Sequence, residues 1–369
     1  MNEREIVVTA AFGVESVTKK ELKKLGVADP KANNGSFVFS GTDLDIARLN
    51  VFLRTGDRVF IKVSEFPCAT FDELFDNTAA INWENYLDKD SNIVVNGKSV
   101  KSRLFSLSDC QKIIKKAVLT RLGKVYKKSV FEENGAKCEI CFSLRDDIMT
   151  ILINTSGKGL HKRGYRDLVG EAPIKETLAC ALIDLAHPLW DEPLIDPFCG
   201  SGTIVIESAM TAMNIAPGKN RDFDFIHWNN FDKTLFTQTL TEANDNEKIR
   251  KLSFAGYDID PAAIKLALHH AERAGIKDFV HFQVRDVKEL SSQRAHGCII
   301  TNPPYGERLL TPKETDKLYR TFGEVCKKLP SWSINVITSN PTFEKSFGKK
   351  ALKNRKLYNA NKECRFYQY

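Results

Sequence analysis

No stretch of the chain approaches the ~18 uninterrupted apolar residues of a membrane-spanning helix, so no span is expected. The amino terminus, Met1 to Glu5, is charged and runs straight into Ile6-Val7-Val8, which reads as a strand and not as a secretory signal. Internal repeats and low-complexity tracts are missing, which sets aside solenoids and disordered arrays. The nine cysteines are dispersed and odd in number, the pattern of reduced thiols, so a cytoplasmic protein is expected. Cys138 and Cys141 form a C-x-x-C with no second pair nearby. Their run, residues 137–144, alternates like a strand that would turn them to opposite faces. No metal site is expected. Nor does any G-x-G-x-x-G follow a strand as a nicotinamide enzyme would require.

What is present points to two or three domains. The 369 residues are 42% apolar, ample for ordinary cores, and carry a net charge of +7. Strand and helix patterns alternate through the first half, with strands at residues 6–11, 36–40 and 59–66 around helices reaching residue 25 and over 44–53. They are followed by a helix near 71–81, a strand at 93–95, a helix over 109–122 and strands at 138–144 and 148–154. The 109–122 helix is the best defined. Ser108 and Gln111 fit a capping box, and Ile113, Ile114, Ala117, Val118 and Leu122 make one apolar face. Residues 155–166, Gly-rich and basic, read as a connection. A helix over 174–185 precedes the next strand, and residues 220–247 read as a helical or loop excursion between two strands.

Acid is scarce in one place. From Lys98 to Lys128 there are ten basic residues and one acid, Asp109, an excess of nine that exceeds the charge of the whole chain. A solvated helix face usually mixes both signs. Lys112, Lys115, Lys116, Arg121 and Lys124 are therefore candidates for a nucleic-acid-facing patch, with an ordinary surface as the alternative.

Two strings carry the chemistry. Asp196-Pro197-Phe198-Cys199-Gly200-Ser201-Gly202-Thr203 follows the apolar run 193–195, and Thr301-Asn302-Pro303-Pro304-Tyr305-Gly306 follows the apolar run 297–300. Ligands of open parallel sheets bind at the carboxyl ends of strands, so the pair predicts one cleft. It resembles that of the amino-methylating, S-adenosylmethionine-dependent methyltransferases. Gly200 and Gly202 allow a tight turn close to a ligand, and the helix begun at Thr203 aims its first amides at a carboxylate. Asp196 can accept from an ammonium group. At the next strand end, Tyr257-Asp258-Ile259-Asp260-Pro261 offers two acids for ribose hydroxyls. Asp260 before Pro261 suits a helix cap, which favours Asp258. Asp286, at the following strand end, is either an acceptor for an adenine amine or another cap. Asn302 Oδ1 and the Pro303 carbonyl are acceptors that could orient an exocyclic base amine. Pro303 and Pro304 stiffen the loop, and Tyr305 is placed to stack on an extruded base. Glu307 and Arg308 follow as substrate contacts or loop caps.

Together these residues resemble the THUMP-containing RNA methyltransferases, and more closely the bacterial 23S ribosomal RNA guanine-N2 methyltransferase family. The resemblance also covers residues 9–15, the basic helix, His161 to Arg166, Ala172 to Leu178, Asn302 to Arg308 and the closing Glu363 to Tyr369. It implies a ferredoxin-like α+β unit (residues 1–66), an RNA-binding THUMP domain (67–156), a linker (157–170) and a Rossmann-like class I methyltransferase sheet (171–369). It further implies S-adenosyl-L-methionine as cofactor and 23S rRNA or a ribosomal precursor as partner. Phe198, Cys199, Ser201, Thr203 and Ile259 join the expected cofactor residues. The second methyltransferase domain of some relatives is expected to be missing, leaving at most the guanine-N2 mark. Transfer RNA, adenine-N6 methylation of DNA and a non-catalytic assembly factor are the rival readings. Oligomeric state is left open.

Overall fold

The computed structural model describes residues 3–33, 35–168, 174–306 and 311–369. Its first half contains β1 (Arg4–Ala10), α1 (Glu15–Lys24), β2 (Lys31–Asn33), β3 (Ser36–Gly41), α2 (Asp43–Phe52), β4 (Gly56–Pro67), α3 (Phe71–Ala80), β5 (Asn92–Val100), α4 (Leu107–Tyr126), β6 (Lys137–Arg145) and β7 (Ile148–Asn154). The second half contains α5 (Glu176–Ala186), β8 (Leu194–Asp196), α6 (Thr203–Ala212), α7 (Lys233–Asp245), β9 (Phe254–Asp258), α8 (Pro261–Arg273), β10 (Val280–Val284), β11 (Gly297–Thr301), α9 (Pro312–Lys327), β12 (Trp332–Thr338), α10 (Phe343–Phe347), β13 (Lys353–Asn359) and β14 (Lys362–Gln368). Local chemistry sets several starts. Thr42 with Asp45, Thr70 with Glu73 and Thr311 with Glu314 close reciprocal capping boxes on α2, α3 and α9.

The amino-terminal strands form one seven-stranded sheet in the order β2-β3-β1-β4-β7-β6-β5. The long strand β4 makes it continuous, pairing with β1 over its first half and with β7 from Phe60 onward. Cys138 is buried on β6 and Cys141 stands on the other face, as strand alternation predicts. Helix α4 starts two residues earlier than expected, with Ser106 as its cap residue. The Ser108–Gln111 capping box is thus a misreading: Ser108 lies inside the first turn, and the Ser106 hydroxyl donates to Asp109 Oδ2 at 2.5 Å.

The second sheet runs β10-β9-β8-β11-β12-β14-β13, with β10, β9, β8, β11 and β12 parallel, β14 antiparallel to β12, and β13 antiparallel to β14 at the edge. The chain steps outward from β8 to β9 and β10, then returns to lay β11 on the other side of β8. The topological switch, where such sheets bind ligands, therefore lies between the carboxyl ends of β8 and β11.

The excursion at residues 220–247 ties the halves together. Phe223, Phe225, Trp228 and Phe231 are buried in the core of the amino-terminal sheet, although they follow β8 and α6 in the chain. Trp228 Nε1 donates to the Lys137 carbonyl at 3.0 Å, and Arg48 pairs with Glu242 of α7 through two bonds of 2.9 and 2.8 Å. Among the described residues, no helix is long and apolar enough to cross a membrane, and no group of three or more His, Cys, Asp or Glu could hold a metal ion.

Candidate active site

Strands β8 and β11 pair directly, Ile195 opposite Ile299, so the loops that follow them are neighbours. Buried Asp196 ends β8. Its Oδ1 accepts from Thr301 Oγ1 of β11 at 2.5 Å and from the Phe198 amide at 3.1 Å. One hydrogen bond thus joins the two strings. Burial pushes the Asp196 carboxyl up to about 7, against the opposing pull of those two donors. Phe198 packs edge-on against Phe322 with ring centroids 5.3 Å apart.

The turn after Asp196 needs its glycines. Gly200 and Gly202 have φ of +50° and +82°. A Cβ on Gly202 would come within 2.8 Å of the Phe282 ring, whereas one on Gly200 would meet nothing within 4 Å. Gly202 therefore packs the turn onto the sheet, and Gly200 leaves open space above it. Cys199 is buried and donates its amide to the Tyr257 carbonyl at 2.8 Å. Ser201 is half-buried, and Thr203 opens the buried helix α6.

Asp258 pins this turn from the next strand. Its Oδ2 accepts the Gly200 amide at 2.9 Å and its Oδ1 the Asp260 amide at 3.0 Å. Asp260 caps α8 through the Ala262 amide at 2.8 Å, with Pro261 at the first helical position. Ile259 follows Asp258 directly after β9 and is a 70% exposed apolar side chain. Asp286 caps a short 3-10 turn by accepting the Lys288 amide at 3.0 Å, and that bond holds its carboxyl below the usual range.

On the second loop, Pro303 is buried and Asn302 half-buried. The Tyr305 hydroxyl donates to Asn302 Oδ1, and the Tyr319 hydroxyl donates to the Pro304 carbonyl at 2.7 Å. The Lys362 ammonium lies 5.6 Å from the centre of the Tyr305 ring, and Cys364 Sγ is 3.8 Å from its hydroxyl. Burial and Cys364 raise the Tyr305 phenol above its ordinary value, so it remains a donor. Thr301, Tyr319, Lys362 and Cys364 are site neighbours that sequence reasoning missed. Thr301 lies inside the motif and Cys364 inside the closing string Glu363 to Tyr369, but nothing local marks Tyr319 or Lys362. Ala172 and Pro173, like Glu307 and Arg308, lie outside the described residues.

The basic helix is divided. Lys115 donates to Glu133 at 2.7 Å and to the Ile93 carbonyl at 3.0 Å, and Arg121 is held by Glu84. Lys116 lies over Phe75 while remaining exposed, and Lys112 and Lys124 are exposed.

Residues 163–368 match the RMKL-like methyltransferase domain, residues 5–60 the RlmL ferredoxin-like domain and residues 68–154 the THUMP domain. The chain belongs to the RMKL-like methyltransferase family. It is 42% identical to YpsC of Bacillus subtilis (strain 168), a protein named as a candidate RNA methyltransferase, across 100% of this chain and 96% of that one. It is 32% identical to the ribosomal RNA large subunit methyltransferase K/L of Allochromatium vinosum, but spans only 52% of that protein's length. Among solved structures, SMU.472, a candidate methyltransferase in complex with SAH, superposes with a TM-score of 0.96 at 41% identity, covering 100% of this chain and 98% of that one. A predicted N6-adenine-specific DNA methylase of Listeria monocytogenes gives 0.95 at 44%, covering 100% and 96%.

The residues fit S-adenosylmethionine. Open space above Gly200, a buried carboxylate at Asp196, backbone-braced Asp258 and exposed apolar Ile259 supply a cradle, an acceptor for an ammonium group, an acceptor for hydroxyls and a face for a flat ring.

Proposed function

We propose that the chain methylates the exocyclic N2 amine of a guanine in 23S ribosomal RNA, using S-adenosylmethionine held by Asp196, the turn from Phe198 to Thr203, Asp258, Ile259 and Asp286. The observation that carries this reading is the Thr301–Asp196 hydrogen bond, because it sets the amine-orienting loop against the cofactor turn. When bound, the cofactor supplies an electrophilic methyl group on a sulfonium. Everything else falls to the protein. Asn302 Oδ1 and the Pro303 carbonyl accept from the two amine hydrogens and aim the nitrogen lone pair. Asn302 Oδ1 has two lone pairs, so Tyr305 can keep one and fix the amide orientation while the other receives substrate. The Tyr319 bond to Pro304 holds the loop to α9. Rate enhancement of this kind is positioning plus electrostatics. The amino-terminal sheet, with its THUMP match and its basic helix, supports RNA as the substrate.

The test is methyl transfer from labelled cofactor to unmodified 23S rRNA, transfer RNA and duplex DNA, each digested to nucleosides. N2-methylguanosine from 23S rRNA is expected. The same nucleoside from transfer RNA alone would move the substrate, and N6-methyladenine from DNA would overturn the reading.

Cofactor binding should also depend on pH. Below about 7 the Asp196 carboxyl takes up a proton and can no longer pair with an ammonium group. Affinity, followed by calorimetry, should fall as pH drops through that value, by at most about tenfold per unit. Asp196→Asn should bind more weakly at pH 8 and show a flat profile between pH 6 and 8. An Asp196→Asn variant that binds as tightly as the wild type at pH 8 would remove Asp196 from the cofactor site.

A further inference from the structure

The loop between β5 and α4 holds an aromatic ring out in water. Phe105 is 83% exposed and has no ring or cation partner among the described residues. Exposure of this size usually belongs to a slack loop, but here the backbone is fastened on both sides. Ser99 Oγ donates to the Leu104 carbonyl at 2.6 Å, and Ser102 Oγ donates to the Val100 carbonyl at 3.0 Å. From the β6–β7 turn, Asp147 Oδ1 accepts the Arg103 amide at 2.7 Å and the Asp147 amide donates to Ser102 Oγ at 3.1 Å. Leu104 is buried next to Phe105 and anchors it. Lys101 sits at φ +50°, a left-handed conformation that costs free energy in a lysine.

A pinned loop with a strained lysine thus presents a large aromatic side chain to solvent, far more open than Leu107 at the start of α4 (41%) or Ile148 beside Asp147 (42%). The charge around it is mostly of one sign. Lys98, Lys101, Arg103 and Lys112 are exposed, and the Arg103 and Lys112 side chains retain 74% and 78% of their accessible surface. Among the nearby acids, Asp147 is spent on the Arg103 amide and guanidinium, and Asp109 takes the Ser106 hydroxyl and lies 4.0 Å from the Lys112 ammonium. Asp146 stays exposed at the β6–β7 turn. Rigid aromatic face and cationic rim is the combination that binds unpaired nucleotides: a base stacks on the ring while flanking phosphates meet the cations. A protein partner is disfavoured by the cations Lys98, Lys101, Arg103 and Lys112, since charged residues are depleted from the core of protein interfaces.

We propose that Phe105 is a stacking platform for an unpaired base of the RNA substrate, with Lys101, Arg103 and Lys112 as phosphate contacts. The proposal rests on the RNA reading above and goes beyond it by placing the strand on the loop leading into α4. Lys115 and Arg121, held by Glu133 and Glu84, would then serve the fold more than the RNA.

The test uses the full chain and a fluorescein-labelled single-stranded RNA oligonucleotide, beside the 23S rRNA transcript. Phe105→Ala should weaken RNA affinity about 5- to 150-fold, the range for losing one stacked base, with an unchanged slope of log affinity against log salt. Lys101→Asn with Arg103→Gln should instead lower that slope by about 0.7 per charge. Phe105→Trp should restore binding, with emission quenched on adding RNA but not by an RNA duplex. Unchanged urea midpoints in all three confirm that they fold, and unchanged cofactor affinity that the effect is on RNA alone. Wild-type affinity in Phe105→Ala, or no quenching in Phe105→Trp, would overturn the platform and leave the RNA reading standing. Wild-type protein that binds neither RNA and methylates only DNA would overturn both.

Discussion

Asn302→Ala should lower kcat for methyl transfer by about 100- to 1,000-fold or more, the usual loss when a preorganised group facing the reacting centre is removed, with cofactor Kd unchanged. The side chain lies one residue beyond β11, and its Oδ1 is the acceptor the Tyr305 hydroxyl already engages. An exocyclic amine is a poor nucleophile because its lone pair is delocalised into the ring. Two acceptors, Asn302 Oδ1 and the Pro303 carbonyl, would favour the geometry that frees it. Their interactions strengthen as the nitrogen becomes tetrahedral, so the loss should fall on kcat more than on KM. Tyr305→Phe separates two roles. It keeps the ring and removes the hydroxyl that orients Asn302, so its loss should be well below that of Tyr305→Ala. Single-turnover rates with saturating RNA and cofactor would measure both. An Asn302→Ala enzyme that turns over at the wild-type rate would remove the loop from the chemistry.

The strand ends were legible because each is a local string. Glycines at positive φ, the Asp260-Pro261 cap and the stiff pair Pro303-Pro304 are all written within a few residues of the strand they terminate. Local strings also give the tight turn before α6, since Gly200 and Gly202, both at positive φ, need nothing distant to be recognised. Long-range pairings were not legible. Lys115 and Arg121 look like free cations on a basic helix, but Glu133 and Glu84, well away in the chain, take them up. The aromatic segment around Phe225 and Trp228 reads only as a helical or loop excursion between two strands, because the face it covers is built from residues far earlier in the chain. The short strand β2 is a three-residue exposed edge with no alternation to reveal it.

Residues 155–166 illustrate the same limit, and Arg163 carries the second large expected effect. In a Gly-rich basic connection an arginine reads as solvated, but Arg163 is 4% exposed and its ion-pair partner Glu207 of α6 is fully buried. Its Nε lies 3.8 Å from Glu207 Oε1. Its guanidinium donates to the carbonyls of Leu160 at 2.6 Å and Leu53 at 3.2 Å, and to that of Arg54. Glu207 also accepts from the Tyr165 hydroxyl at 2.8 Å and the Cys180 thiol at 3.0 Å. The arginine thus joins the end of α2, the connection and α6, the helix that follows the Gly200–Gly202 turn. Arg163→Ala would leave the Glu207 carboxylate buried without its countercharge and three carbonyls without their donor. Breaking a buried pair in this way costs about 3–5 kcal/mol, whereas replacing both partners with apolar groups of similar volume costs far less. Urea unfolding should therefore show a large drop in midpoint for Arg163→Ala and a smaller one for Arg163→Met combined with Glu207→Leu. Cofactor affinity should fall with the single variant, because α6 carries Thr203 and the turn before it. Equal losses in the single and double variants would mean that Arg163 acts through its carbonyl contacts alone, and that Glu207 is held well enough by Tyr165 and Cys180.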